Sequence, residues 1–382
     1  MIEQIKNAIE RIDSLSKTKP IKVISHYDTD GITSAAIFTQ ALKRWNKKFS
    51  LQIIKSLEPE FISSLPEKQI IIFLDLASNS LSHISKINSD FFILDHHEII
   101  QEIPKNVTMI NPLNQSPPSS ICSAAICYLF AKTLSQQNTN LATLSVIGMV
   151  GDTHEKNLSP VYNEILNDSQ TTIKRGLLIY PSTRPLNKAL EYSSSPYLPG
   201  VTGSPSGVLE LLRDAGIKRE QNEYKALYEL SEQEMSALIT AIMLRSMKKT
   251  APEELIGNLY LVKFFNKLED SRELSALINA CSRMGRPEIA LGFCLGGSEQ
   301  KKEAEKIYRE YKQNLVAALR YVSETEKISG KKYTIINERD KIKDTIIGTI
   351  ASIISHSPTY EKGTMIIALA YNENKIKVSA RI

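Results

Sequence analysis

Apolar and polar positions alternate between two periods along this chain, and the first half switches between them repeatedly. Ile2, Ile5, Ile9, Ile12 and Leu15 fall on one face of a helix over Met1 to Leu15. Ile21-Lys22-Val23-Ile24-Ser25 is then a short β-branched run, followed by a turn and a helical stretch from Thr33 to Trp45. Further runs stand at Leu51 to Ile54, Ile70 to Leu74, Phe91 to Leu94 and Val107 to Ile110, with helices predicted over Ser120 to Leu134 and Leu141 to Met149. Continuous apolar runs are what strands buried on both faces look like, so the pattern predicts a mostly parallel α/β sheet.

The pattern changes near residue 180. Tyr180 to Gly207 holds five of the sixteen prolines and three glycines, as a boundary or an irregular wall would. Val208 to Lys249 is helical in pattern. The last third returns to mixed α/β, with strands predicted over Leu259 to Val262, Ile289 to Cys294, Thr334 to Ile336, Thr364 to Tyr371 and Ile376 to Ser379. The predicted organisation is a parallel-sheet α/β domain over 1-178, a helical connector over 179-250 and a smaller mixed α/β domain over 251-382, with a cleft between the domains.

At 382 residues the chain is long for a single core. Its charged and apolar fractions, 23% and 42%, are those of a folded globular protein, which excludes disorder. No apolar run spans a bilayer, and Glu3, Glu10 and Asp13 make the N-terminal segment an amphipathic helix, not a signal peptide; a cytoplasmic location with no membrane partner is the expectation. Cys122, Cys127, Cys281 and Cys294 each sit in apolar stretches without a Cys-x-x-Cys pair, and read as buried thiols. A net charge of +5 permits a polyanionic partner without demanding one.

Four acidic or histidine-bearing spots stand immediately after apolar runs: His26-Tyr27-Asp28-Thr29-Asp30-Gly31, Asp75, Asp95-His96-His97 and Asp152. Ligands of open α/β sheets gather at the carboxyl ends of strands, so these spots are expected to converge. Each has a plain structural explanation when taken alone. An Asp-x-Asp-Gly turn often only caps a helix, a lone Asp after a strand is commonly a turn residue, and adjacent histidines can be a buried network. A calcium loop fits poorly, because Thr39 stands where its closing Glu belongs. What changes the picture is coincidence: His26, His96, His97 and His154, four of the six histidines, lie in or beside these spots, while His83 and His356 do not. Carboxylates with imidazoles suit Mn, Zn or Fe over Ca, and two ions sharing a carboxylate such as Asp75 serve in-line displacement at phosphorus.

The four motifs, in this order, resemble those of the DHH phosphoesterase superfamily. Its members include RecJ-type single-strand exonucleases, small-nucleotide and oligonucleotide phosphodiesterases, and a class of inorganic pyrophosphatases. The resemblance implies two divalent ions, with Mn²⁺ first and Mg²⁺ or Co²⁺ as alternatives. Carried over by motif, Asp28 and Asp30 match the first pair of ligands, Asp75 the shared ligand, His96 the imidazole ligand and Asp152 the last carboxylate. His97 matches a phosphate-contacting neighbour and Asp95 a support for the turn. His26, two residues before Asp28, is a metal ligand by similarity to the archaeal RecJ-like branch; other branches place this histidine where Ile24 stands. The C-terminal part resembles the DHH-associated domain, through Arg283-Met284-Gly285-Arg286-Pro287-Glu288, through Gly296-Gly297, and through Ile347 to Ser352 and Ile376 to Arg381. By that resemblance Arg283, Gly285, Arg286, Gly296, Gly297, Ser379 and Arg381 bind substrate, since glycines admit phosphate to backbone N–H groups and arginine clamps it. The plain alternative is that these are turn glycines and a terminal surface charge.

The function expected is a metal-dependent exonuclease releasing mononucleotides from single-stranded DNA or RNA, with a replication or repair protein (a helicase or fork complex) as a possible partner. Two other readings stay open. One is a small-nucleotide or oligonucleotide phosphodiesterase or phosphatase, favoured by the mild charge. The other is a replication scaffold without catalysis, disfavoured because every motif carboxylate is present.

Overall fold

The computed structural model describes residues 1–193, 198, 200–245, 255–355, 357, 360–361, 363–372 and 375–382. The end of the predicted helix at Lys249, the domain boundary at 250 and His356 lie outside them. The chain separates into two compact units. The first comprises Met1–Ile173 with Tyr260–Glu305, the second Lys174–Leu259 with Lys306–Ile382. Residues 260–305, grouped by sequence with the C-terminal domain, cluster instead with the first unit.

In the first unit the elements run α1 (Ile2–Leu15), β1 (Ile21–His26), α2 (Thr29–Arg44), β2 (Phe49–Ile54), α3 (Pro59–Ser63), β3 (Ile70–Leu74), α4 (Leu81–Ile84), β4 (Asp90–Leu94), β5 (Val107–Ile110), α5 (Ser123–Leu134), α6 (Ala142–Gly151) and α7 (Pro160–Asp168). All five strands are parallel, in the order β2-β1-β3-β4-β5. Every residue of β3 is buried, which accounts for its unbroken apolar run Ile70-Ile71-Ile72-Phe73-Leu74. Phe73 and Phe91 stack at 6.1 Å between ring centres in the core beneath α3 and α4. The helix α2 is buried almost all round, so it lies between the sheet and α5, α6 rather than on the surface.

Register decides what the sheet presents at its carboxyl edge. Ser25 pairs with Leu74, Leu74 with Leu94 and Leu94 with Ile110. The next residues along, His26, Asp75, Asp95 and Asn111, therefore form one row. The strand order reverses between β1 and β3, which opens a crevice there, flanked by His26 and Asp75.

Beyond β6 (Thr172–Leu177), the second unit holds α8 (Leu186–Glu191), α9 (Pro205–Asp214) and α10 (Glu232–Arg245), packed around Leu177, Leu190, Leu211, Leu227 and Leu238. The strand β7 (Ile256–Phe264) leads back to the first unit, where its end pairs antiparallel with β8 (Lys267–Asp270). There follow α11 (Ser271–Arg283) and α12 (Pro287–Cys294). The latter corrects the strand predicted over Ile289 to Cys294. Pro287 opens a helix, and Ala290, Phe293 and Cys294 are its buried face; a short apolar run does not by itself distinguish a buried strand from a buried helix. After α13 (Ser298–Glu324), the second unit closes with β9 (Ile328–Ser329), β10 (Tyr333–Asn337), α14 (Asp344–Ser355), β11 (Met365–Asn372) and β12 (Lys375–Arg381). These strands make a mixed sheet, β12-β11-β10-β9, with α14 packed on β11 and β12. The four cysteines are buried and free. Among the described residues no helix is long and apolar enough to cross a membrane.

Candidate metal centre

The motif-one loop is built by its own sequence. Asp28 caps α2, accepting a hydrogen bond from the Gly31 N–H at 3.0 Å. A side chain at Gly31 would meet the His26 carbonyl oxygen at 2.3 Å, so glycine lets β1 turn directly into α2. Asp30 points the other way, and its carboxylate is fully buried at the start of α5, where it accepts from the Ser123 N–H at 2.7 Å and the Ala124 N–H at 2.9 Å. An anion at a helix N-terminus is favoured there by the helix dipole.

Asp75 leaves β3 with φ of +60°, a conformation that short polar side chains tolerate, and it is 2% exposed. Its two oxygens face different partners. Oδ2 is 3.4 Å from His26 Nδ1; Oδ1 is 3.4 Å from His96 Nε2 and accepts from the Ser123 hydroxyl at 3.1 Å. His26 Nδ1 also lies 3.0 Å from Asp28 Oδ2. His96 Nε2 lies 3.1 Å from Asp152 Oδ2 and 4.0 Å from Asp30 Oδ2.

Asp95 holds the double-histidine turn. Its Oδ1 accepts from the His96 N–H at 2.8 Å and from His97 Nδ1 at 2.7 Å, and its Oδ2 accepts from the Ser78 N–H at 3.1 Å. Asn111, the last of the sheet-edge row, donates to the His97 carbonyl at 2.9 Å. His97 is half exposed, with Nε2 directed away from Asp95 by its Nδ1 bond.

Asp152 arrives from a helix and not from a strand: it caps the C-terminus of α6. The glycines before it permit close packing of α6 on α2. A Cβ at Gly148 would lie 2.5 Å from the Ala124 methyl and 2.9 Å from Asp30 Oδ1; one at Gly151 would lie 2.7 Å from the Thr29 methyl. Just beyond, His154 sits 5.6 Å from the His96 ring and bonds the Ser120 hydroxyl at 3.4 Å.

So much burial of like charge shifts protonation. Burial and the neighbouring charges of Asp75 and Asp152 push the Asp30 carboxyl well up, and burial raises Asp75 despite its imidazole partners. Burial disfavours the charged form of His26, but bonds to Asp28 and Asp75 outweigh it and hold that imidazole at about 10. His96 follows the same pattern through Asp152 and Asp75, at about 11. Burial opposes ionisation of Asp95, yet His97 and Ser78 bring it down to about 2. Burial and the nearby His96 charge lower His154.

This donor set fits divalent cations. Ligand atoms lie within 4.8 Å of one another in three groups: His26, Asp28 and Asp75; Asp75, Asp95, His96 and His97; and His96, Asp152 and His154. Among the described residues, the cationic groups paired with Asp28, Asp30, Asp75 and Asp152 are all imidazoles, with no lysine or arginine. Asp30 stands outside the three groups; both its oxygens accept from the N-terminus of α5, and each keeps a lone pair.

The predicted substrate residues are dispersed. Arg283 and Gly285 lie at the end of α11, whose Asn279, one turn earlier, bonds the motif-one loop. Gly285, with φ of +79°, closes that helix, and Arg286 pairs with Glu288. Gly296 and Gly297 close α12, where Gly296 lines a cavity with Gln40 and Arg44 at the far end of α2, about 20 Å along that helix from Asp30. The structure does not bring Gly296 to the carboxylates. Ser379 and Arg381 belong to the second unit, where Arg381 donates to Ser352 at 2.8 Å and to its neighbouring carbonyl. In the sequence His154 stands beside the motif without being marked as a ligand, and Ser123, Ser275 and Asn279 are not singled out at all. Nothing in the local sequence marks the last three, since they act through tertiary hydrogen bonds.

Comparison with known proteins agrees with this architecture. The model described as the DHH family N-terminal domain matches residues 20–149, and that of the DHH-CID domain matches residues 179–260. An uncharacterized protein of Methanocaldococcus jannaschii is 29% identical over 374 residues, covering 93% of this chain and 82% of its own. The Mn²⁺-bound RecJ of Thermus thermophilus superposes with a TM-score of 0.58 at 14% identity, over 96% of this chain but 46% of that one. Cdc45 from Entamoeba histolytica superposes with a TM-score of 0.70 at 13% identity, over 98% of this chain and 86% of that one. At such identities the structures speak to fold alone, and this chain spans under half of the Thermus RecJ. With the DHH model matching the segment that carries His26, Asp28, Asp75 and His96, and the DHH-CID model following it, the chain belongs to the DHH superfamily and has a RecJ-like fold.

Proposed function

We propose that this chain is a two-metal phosphodiesterase, a RecJ-like exonuclease that hydrolyses single-stranded DNA or RNA to mononucleotides in the cytoplasm, working beside replication or repair proteins. One observation carries the reading: Asp75 offers one oxygen to the group of His26 and Asp28 and the other to His96, which also lies beside Asp152. That is the disposition of a carboxylate shared by two ions. Divalent ions held there, Mn²⁺ first, would supply water activation and charge neutralisation at phosphorus.

The chain's own residues supply the rest. Asp28, Asp30, Asp75, Asp152, His26 and His96 bind and space the ions. His97, with Nδ1 committed to Asp95, keeps Nε2 for a phosphate oxygen, and the Asp95 bond raises its basicity. Arg283 extends the phosphate grip from the end of α11.

The test is a single strand labelled at either end, as DNA and as RNA, incubated with Mn²⁺. Mononucleotide release that disappears in His96→Ala and Asp152→Ala supports the reading, and retention of full activity in both variants sinks it. Turnover of a dinucleotide above that of a long strand would shift the substrate to short oligonucleotides, a reading the mild net charge of +5 favours. A scaffold without catalysis draws on the likeness in fold to Cdc45. Failure of the purified protein to bind Mn²⁺ would favour it.

A further inference from the structure

We infer that Asn279 on α11 is the positioning residue of the motif-one loop and also a donor to the substrate's phosphate; this rests on the two-metal reading above. The observation is a contact across 250 positions of sequence. The Asn279 side-chain carbonyl accepts a hydrogen bond from the Thr29 N–H at 3.1 Å. Thr29 is the residue between Asp28 and Asp30, and it is itself 1% exposed. Its hydroxyl donates to the Ser275 carbonyl at 3.0 Å, while the Ser275 hydroxyl reaches back to it at 3.2 Å.

Thr29 opens α2, and the first N–H groups of a helix have no partner within it. Asp28 takes the N–H of Gly31, and Asn279 takes that of Thr29. With both satisfied, the backbone between the two carboxylates has one conformation, which sends Asp28 towards His26 and Asp30 towards α5. Without Asn279 the buried Thr29 N–H loses its acceptor, and the cheapest relief is rotation of the peptide that sets the Asp28 carboxylate.

The same amide has a second end. Because Oδ1 faces the Thr29 N–H, the amide orientation is fixed, and Nδ2 carries two donors with no hydrogen-bond partner among the described residues. Ser275, Asn279 and Arg283 recur every fourth residue, and so form one stripe along α11. The first clamps the loop, the second clamps it and keeps free donors, and the third ends the helix one turn further on. An anionic phosphodiester next to Asp28 is the group that such donors would take.

Three variants test this. Amide exchange at Thr29 in the metal-free protein, Mn²⁺ affinity measured with the metal alone, and kcat and KM on a single strand are the readouts. Asn279→Ala should deprotect the Thr29 N–H and weaken Mn²⁺ binding about tenfold. Asn279→Asp keeps the acceptor and removes the donors; it should restore Thr29 protection and Mn²⁺ affinity while raising KM severalfold. Asn279→Leu, which fills the space without an acceptor, should behave as Asn279→Ala and so separates hydrogen bonding from packing. Unchanged Mn²⁺ affinity in Asn279→Ala overturns the positioning role, and an unchanged KM in Asn279→Asp overturns the donor role. Both results leave the two-metal reading standing as long as the unmodified protein binds Mn²⁺. If that protein binds no Mn²⁺, the reading and the inference fall together.

Discussion

The two units treat charge in opposite ways. At the carboxyl edge of the parallel sheet, Asp30, Asp75 and Asp95 are buried to 2% exposure or less, and they lie beside imidazoles from three separate segments, His26, His96 with His97, and His154. In the mixed sheet of the second unit, Arg381 is exposed and spends its guanidinium on Ser352 and its own backbone, while Ile376, Val378 and Ile382 stand open to solvent. Burying several carboxylates together is costly, and folds retain it where a cation is to be bound. An exposed arginine at a sheet edge costs little and carries no such implication. The first arrangement therefore argues for function by its physics, and the second only by resemblance.

The widest separation is expected in activity. Asp75→Ala should lower Mn²⁺-dependent turnover by at least about 100-fold and weaken Mn²⁺ binding in calorimetry, whereas Arg381→Ala should stay within about tenfold. Comparable losses in the two variants would break the contrast. A similar difference should appear in stability. Gly148→Ala drives a methyl to 2.5 Å from Ala124 and 2.9 Å from Asp30, and should cost about 1–3 kcal/mol in denaturant unfolding. Gly348→Ala meets Ser379 Oγ at 3.2 Å on a helix that gains propensity from alanine, so its change should stay within about 1 kcal/mol.

The smallest effect is a pH dependence. In the metal-free protein His26 and His96 titrate at about 10 and 11, above the ordinary imidazole value. Their contribution to stability is complete below the unfolded value and is lost as pH rises through those folded values. The raised Asp30 and Asp75 carboxyls act in the same direction. Metal ions take the place of these protons, so the rise in Tm on adding Mn²⁺ should grow between about pH 6 and pH 8.5. A flat response would show that the first unit's charge is balanced without metal.

Much of this was legible in the residues. Ile70 to Leu74 and Phe91 to Leu94, β-branched and aromatic runs recurring between helix-length segments, read as buried strands, and an acidic residue after each is placed at the sheet's edge. The helix over 287–294 was not legible. Its apolar run is shorter than the length at which period separates helix from strand, and Pro287 and the glycines beyond it decide the matter through caps. Nor was the far placement of Gly296 legible, because the Gly296-Gly297 pair suggested phosphate while the positive φ of Gly296 serves a helix end.

By itself the sequence determined the motifs, their order and the elements they end, because hydrophobic period and capping are local. The roles within the site were decided only by tertiary structure. Strand register aligned His26, Asp75 and Asp95 in one row, α6 brought Asp152 from a helix end, and the N-terminus of α5 oriented the Asp30 carboxylate. Asn279 reached Thr29 across 250 residues. Contacts between segments so far apart depend on how whole elements pack, and no local pattern encodes that.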